Sequence, residues 1–537
     1  MALAFDFGTC NTVVARWNDA LEDVETPYMT NLTKTYSFTD NREARVIPSL
    51  IHYSSDSAKT IGVQVEANGL NTHPGTFRWL KMDLLRTGGG NRGRRVNGEH
   101  VYPRTAASEL VDSILLFVQG HFGQIDDELV VTVPVEAFDH YLDWLREAAV
   151  KRFPRGVHVL DEATACILGY MNHIRDREVY CVIDFGGGTL DVSVVRTNLH
   201  GEGSCDVLGK AGEEIGGMLV DHWLLEHVQQ EEGLTDEDIA DIGTALLSKI
   251  EEAKIELSNG SKEVEIQQYN DLTGRLVSCR ITADVFSTML KEPRKPNNNS
   301  LYQLITRTLD LALEQANDKA GVRKKELKGV FMVGGSSMLL GVPEHVEEYF
   351  PDCKTFAGNP FEAIAHGACR YAGGSINQAL VHDYCLRSWN RQSMDFDFVP
   401  VVSRGTQYPT EKPVSSKYLK APQEAQEFLG MVVYERSVME RPEISYINGP
   451  DGLQPVRKSV RQIEREKALN PEDSEFIHAV PPCNSGERRF VAGFGVDEHR
   501  RLTLWLRDLK EGNRSTIKLG DGTRIQLPVA NLPVVKL

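Results

Sequence analysis

Two stretches of this chain repeat one another, and the repeat limits what it can fold into. LAFDFGTCNTVVARW spans residues 3–17 and VIDFGGGTLDVSVV spans residues 182–195. Each reads as an apolar strand, Asp-Phe-Gly, a small polar turn and a second apolar strand, so each predicts a β-hairpin with no bulky side chain at its tip. Glycine at such a tip lets backbone N–H groups approach an anion closely. The acids beside the turns, Asp6 and Asp184, can reach magnesium through its water shell, since that ion prefers oxygen ligands and keeps several waters. One glycine-rich hairpin on its own is explained by a tight turn. Turns need no paired acids, so two hairpins with matched aspartates point to a triphosphate gripped from both sides.

The chain has no G-x-x-x-x-G-K-[ST] sequence and no G-x-G-x-x-G fingerprint in a strand–helix setting, which argues against a P-loop enzyme and a dinucleotide fold. A third motif, FMVGGSSMLLGVPEHVEEYF at 331–350, predicts a strand, a Gly-Gly-Ser turn and a helix whose N-terminus can meet a nucleotide. In IEEAKIELS, residues 250–258, helical spacing puts Glu251, Lys254 and Ser258 on one face. Taken alone, that face also suits a plain surface ion pair between Glu251 and Lys254.

Strand-like runs at 3–7, 128–134, 179–185 and 329–335 alternate with helical patterns such as 106–122 up to Gly373 and Gly374, predicting an α/β layered architecture. From about Pro400 the chain turns to short β segments, FVPVV, EFLGMVVYE, RRFVAGFGV, RLTLWLRD and STIKL, suited to a sandwich-like module. Residues 375–395 read as the joint, and 437–485, rich in Pro, Glu, Arg and Asn, as a long insertion or mobile loop. No long amphipathic helix follows the last strands.

Acidic residues number 76 against 59 lysines and arginines, a net charge of −17. Such a surface repels nucleic acid and anionic lipid. Arg92 to Arg95, the densest basic stretch, reads as a solvated loop among glycines. Nine cysteines without a C-x-x-C pair fit free thiols in a reducing compartment. No apolar run is long enough to span a membrane, and Asp6 interrupts the N-terminal apolar stretch. A cytoplasmic location is expected. His222 and His366 lack metal-ligand spacing and read as surface or core residues.

Together these residues resemble the seventy-kilodalton heat-shock chaperones, the DnaK-type proteins of the actin and hexokinase superfamily. DFGTCNT, VTVPVEAF at 131–138, VLDEATACILGY at 159–170, DFGGGTLD at 184–191, IGGMLVDHWL, EEAKIELS, FMVGGSS and GNPFEAIAHGA occur in family order. The resemblance implies a two-lobed actin-like ATPase domain over 1–374, a linker over 375–395 and a β-sandwich substrate domain without a helical lid over 396–537. It implies ATP/ADP and Mg2+ as ligands. By position, Gly8, Thr9 and Cys10 line the first phosphate loop, and Gly186, Gly187, Gly188 and Thr189 the second. Gly216 and Gly217 lie in a further nucleotide contact. Asp6 and Asp184 sit around magnesium, with Glu162 and Asp191 organising metal and water and Lys81 positioning water and γ-phosphate. Glu251, Lys254 and Ser258 face ribose and base, opposite Gly334, Gly335, Ser336 and Met338.

The C-terminal part resembles the family's peptide-binding sandwich in VVSRGTQYPTEKPVSS at 401–416 and GVDEHRRLTLWLRD at 495–508, implying extended polypeptide clients held through main-chain hydrogen bonds. The family's acidic, leucine-rich linker is replaced by QALVHDYCLR at 378–387, which puts J-domain and nucleotide-exchange partners in doubt. Two other readings stay open: an ATP-sensing scaffold that holds one protein partner with little turnover, and a small-molecule kinase of the same superfamily. Other departures fall around the base. Ile255 and Met338 stand where the family has arginines that sandwich adenine, Phe361 replaces an aspartate, and Cys10 a threonine. The expectation is altered affinity or nucleotide preference. Restoring arginine at both Ile255 and Met338 should tighten ATP binding; an unchanged dissociation constant would count against this placement of the base.

Overall fold

The computed structural model describes residues 3–537 except 39–41, 55–57, 86–92, 123–127, 136, 154–155, 199–203, 295–297, 372–377, 381, 391–393, 450–451 and 472–474. Arg92, Gly373 and Gly374 lie outside the described residues. The chain divides into two compact units, one of Met1–Val133 with Ala148–Gly374 and the other of Pro134–Glu147 with Ser375–Leu537.

The repeat seen in the sequence becomes two sheets in the first unit. In one, strand Leu3–Phe7 pairs antiparallel with Asn11–Asn18 on one side and parallel with Leu129–Val133 on the other, with Val157–Asp161 beyond. In the other, Val179–Phe185 pairs antiparallel with Leu190–Asn198 and parallel with Leu327–Val333, with Thr355–Phe356 beyond. Both central strands, buried on both faces, are continuous apolar runs broken only by the aspartate near their ends, as expected where neighbours cover the strand on each side. The first sheet extends through Glu43–Pro48 to Lys34–Ser37.

Helix Glu162–Gly169 begins at Asp161, whose side chain accepts from the Thr164 N–H at 2.8 Å, a standard N-cap. It packs closely on helix Ala363–Tyr371. A Cβ at Gly367 would collide with the Ala165 carbonyl, and one at Gly169 with the Ala363 carbonyl, so each helix needs glycine at the crossing. The helix around 250–258 runs from Asp236 to Ser258 and opens with a Thr235/Asp238 capping box. It buries Ile242, Leu246, Ile250, Ala253 and Leu257 in the core beside the second sheet, the stripe expected of an amphipathic helix. The turn after Leu327–Val333 differs from expectation. Gly335–Met338 is a single 3-10 turn, and the α-helix starts later, at Val342.

The second unit is rich in β-structure. Its sheets run Asp395–Val402, Asp383–Asn390, Val433–Gly449, Gly452–Ala468; Ser415–Lys420, Arg488–Val496, Leu502–Asp508, Val529–Pro533; and Gln426–Leu429, Ile477–Cys483, Thr516–Lys518, Arg524–Gln526. Two expectations are corrected here. The joint contributes strand Asp383–Asn390, because its alternating residues Tyr384 and Leu386 pack in or against the β core. The stretch 437–485 is largely strand, an antiparallel pairing from Tyr434↔Ala468 to Gly449↔Gly452 followed by Ile477–Cys483. Its content of Pro, Glu, Arg and Asn, without a regular alternation of polar and apolar residues, had disguised it. In the first unit, Arg94 and Arg95 belong to strand Arg94–Val96, and the Arg94 guanidinium lies 4.8 Å over the Phe77 ring. Both arginines are exposed, as expected, but they stand on a strand in place of a loop.

Two buried ionic clusters lock the second unit. Arg489 makes a two-pronged contact with Asp508, at 2.9 and 2.7 Å. Pro134–Glu147, read from the sequence as part of the N-terminal domain, groups with this unit. Asp139 accepts from the Tyr384 hydroxyl at 2.7 Å and the Leu502 N–H at 3.0 Å, and Arg501 binds Asp143 at 2.7 Å. Burial lifts the Asp139 carboxyl to about 6, with Tyr384 opposing the shift. A carboxyl raised in the fold contributes stability that is fully present below its unfolded value and is lost as pH rises through the folded one. Thermal midpoints measured from pH 4.5 to 7.5 should therefore fall less for Asp139→Asn than for the wild type; parallel curves would show that Asp139 does not titrate in this window.

Candidate functional site

The matched hairpins bring their turns together. A Cβ at Gly187, in the second turn, would strike Cys10 Sγ in the first. The cleft between them is lined by Asp6, Gly8, Thr9, Cys10, Lys81, Glu162, Asp184, Gly186, Gly187, Thr189, Gly217, Glu251, Lys254, Ser258, Gly334, Gly335, Ser336 and Met338, all picked out from the sequence. Three more candidates stand just behind the lining. Asp191 is the register partner of Asp184 across the second hairpin. Gly188 packs under Met82, and Gly216 backs directly onto the Gly187 carbonyl. Gly334 has a φ of 80° and sits against the Phe185 carbonyl and Asp184, a place where only glycine fits without strain.

The floor is a cluster of carboxylates around one ammonium. Lys81 Nζ lies 2.7 Å from Glu162 Oε1, with both side chains nearly buried. Asp6 Oδ1 accepts from the Thr132 hydroxyl at 2.6 Å. Burial raises the Glu162 carboxyl to about 7; Lys81 pulls it down, while Asp6 and Asp191 push it up. Burial, then Glu162 and Asp191, hold the Asp184 carboxyl well above the usual range. Asp6 is raised by burial against the opposing pull of Lys81. Like charges this close disfavour joint ionisation until a cation joins them.

A divalent ion fits this donor set. Among the described residues no three His, Cys, Asp or Glu side chains converge as a direct ligand shell, and magnesium needs none, because it is usually held by one or two carboxylates, waters and substrate phosphates. Burial also pushes the Cys10 thiol up to about 12, so this residue of the first turn is a neutral thiol at physiological pH.

The helix Asp236–Ser258 supplies the far wall. Glu251 and Lys254 do not pair with each other. Glu251 binds Arg78 at 2.9 Å, while Lys254 binds Asp221 at 2.7 Å and donates to the Gly217 carbonyl at 3.1 Å. Burial raises the Asp221 carboxyl to about 6 against the pull of Lys254. The Ser258 hydroxyl donates to the Lys254 carbonyl at 2.8 Å. Asp221 and Arg78 were missed in the sequence. Asp221 sits in the quoted IGGMLVDHWL and Arg78 three positions before Lys81, but neither has a spacing that marks it. His366, half-buried with a ring nitrogen 2.9 Å from the Thr26 hydroxyl, is a packed side chain.

The family model described as Hsp70 protein matches residues 92–464. The chaperone protein DnaK of Deinococcus deserti is 22% identical over 564 aligned positions covering 98% of this chain and 80% of that one. A chaperone protein HscA homolog of Pseudoalteromonas atlantica is 24% identical, covering 97% and 78%.

The Lys81–Glu162 pair allows a direct test. Removing one member of a buried pair strands the other's charge, at about 3–5 kcal/mol. Lys81→Met should lower the unfolding free energy by that order, and Lys81→Met with Glu162→Gln should regain most of the loss. Additive losses in chemical denaturation would mean that the two side chains do not act as a pair.

Proposed function

The chain belongs to the Hsp70 protein family, and on that premise we propose how its cleft carries out the family's chemistry. The protein is an ATP-dependent, chaperone-like ATPase that uses ATP/ADP and Mg2+. The ATP-sensing scaffold and the small-molecule kinase are not favoured by relatives that are named chaperones. The observation that carries the site reading is the pair of facing turns with Asp6 and Asp184 at equivalent ends of duplicated strands.

In this reading the backbone of Gly8–Cys10 and Gly186–Thr189 cradles the phosphates from opposite sides. Asp6 and Asp184 would hold magnesium, which supplies charge neutralisation on the phosphates. Lys81, fixed by Glu162, places a positive charge beside the terminal phosphate. Phosphoryl transfer to water depends mainly on such positioning and charge compensation. Glu162, with its carboxyl near 7, is poised to accept the proton of the attacking water at neutral pH, and Asp191 sustains that state from behind. Thr189 stands at the turn where the terminal phosphate would lie. Glu251, Lys254, Ser258 and the Gly334–Met338 turn contact the nucleoside.

The second unit is proposed as the client-binding part, acting on extended polypeptide. Strands Ser415–Lys420 and Gln426–Leu429 are edges of their sheets, and Val414, Tyr418 and Phe428 expose apolar side chains there. An open edge beside apolar side chains suits strand addition by a peptide. We place the protein in the cytoplasm from its nine free cysteines; among the described residues no helix is long and apolar enough to cross a membrane. J-domain and nucleotide-exchange partners are proposed as weak or altered, on the ground of the substituted joint at 378–387.

Single-turnover hydrolysis of magnesium-ATP separates these roles. Wild type should hydrolyse slowly, with Asp184→Asn and Thr189→Ala each slower by about a hundredfold, the usual size for loss of one electrostatic contact in a transition state. Unchanged turnover in both variants would remove these residues from the reaction.

A further inference from the structure

The nucleoside end of the cleft has a wall for which no role has been assigned. The outermost strand of the first sheet, Lys34–Ser37, carries Tyr36 into the cleft lining, followed by Phe38. Both meet Phe361, from the loop before helix Ala363–Tyr371. The Tyr36 and Phe361 rings stack with centroids 5.1 Å apart and planes 4° apart, and Phe38 lies 6.1 Å from Phe361. The Arg42 guanidinium sits 5.6 Å over Phe38. Phe361 is seated on the Gly335 turn, where an added Cβ would come 3.0 Å from its ring. All three rings are half-buried, and Ile255 and Met338 line the same cleft.

Of the polar side chains in this part of the lining, Glu251, Lys254 and Ser258 are engaged within the protein, while Ser37 and Asn259 are exposed. Glu251 is bound to Arg78, Lys254 to Asp221, and the Ser258 hydroxyl to a helix carbonyl. The broadest surface offered to a base is therefore the aromatic and aliphatic one of Tyr36, Phe38, Phe361, Ile255 and Met338. A site discriminates strongly between polar analogues when its own hydrogen-bonding groups are aimed at the group that differs. Stacking, by contrast, is worth about 1–3 kcal/mol per base and tolerates any base, since each has a π-face.

We infer that the Tyr36–Phe361 shelf is the base subsite and holds a purine by stacking, so that the cleft takes guanine as well as adenine nucleotides. This rests on the nucleotide reading of the cleft given above. Tyr36 and Phe361 are then specificity-determining residues, and the specificity they confer is for ring area, with little for the pattern of groups on the base edge.

The test is equilibrium binding of MgADP, MgGDP and inorganic pyrophosphate to the full chain, as wild type, Phe361→Ala, Tyr36→Ala and Phe361→Trp. Stacking predicts that MgADP and MgGDP bind within about fivefold of each other, and that each alanine variant weakens both by about tenfold, the low end of a stacking contribution. Pyrophosphate should bind all four proteins alike, and Phe361→Trp should bind nucleotide as wild type does. The inference is overturned if MgGDP binds more than about a hundredfold more weakly than MgADP, a ratio that requires an edge-reading site. It is equally overturned if the alanine variants bind nucleotide unchanged, or if they lose pyrophosphate as much as nucleotide, which would mark general damage to the cleft. Wild type that binds neither nucleotide nor pyrophosphate overturns the nucleotide reading itself.

Discussion

One ammonium among several carboxylates is the constraint around which the first unit is arranged. Lys81 reaches Glu162 from the short helix Leu80–Leu85, while Asp6 and Asp184 come from near the ends of strands in two separate sheets. Burying this many acids is unfavourable unless positive charge accompanies them. Lys81 supplies part of it, and the remainder is left for a metal and its phosphates. Elements that look unrelated in the chain serve this placement. The Asp161 cap starts the helix that bears Glu162, and the glycine crossing of that helix with Ala363–Tyr371 lets it lie close against its neighbour.

The same economy of charge holds along the helix Asp236–Ser258. Its Lys254 and Glu251 look like partners when read along the sequence, yet each is claimed by a residue from another element. Asp221 and Arg78 thereby tie that helix to the segments flanking the two phosphate turns. The nucleoside contacts of the cleft are thus preorganised through ion pairs, and the surface left over is aromatic.

Much of this was readable beforehand, for identifiable reasons. The paired Asp-Phe-Gly hairpins, the buried central strands and the helix over 250–258 follow from short-range patterns of two and 3.6 residues, and the structure has them where the periodicity put them. What escaped was tertiary. The long hairpin Val433–Gly449 with Gly452–Ala468 carries few consecutive apolar residues, since its strands pair mostly with each other, so composition made it look like a loop. Strand Asp383–Asn390 was hidden in a segment read as a joint. Tyr36 and Phe38 sit in an unremarkable run, KTYSF, and only the packing against Phe361 gives them meaning. Phe361 itself was noticed as a departure from the family pattern, but its effect depended on what lay opposite.

The duplication of the two sheets is faithful in backbone and broken in charge. Across the first hairpin Asp6 faces Val13; across the second Asp184 faces Asp191. Two equivalent frames therefore enclose a cavity with a head and a tail. A nucleotide polyphosphate is directional too, with a nucleoside at one end and a doubly ionised phosphate at the other. A perfectly symmetric cradle would accept it either way round. The Asp-for-Val difference beside the turn, together with an aromatic wall on one side only, gives the cleft a polarity, and so lets one fold repeated twice carry out a reaction that has only one direction.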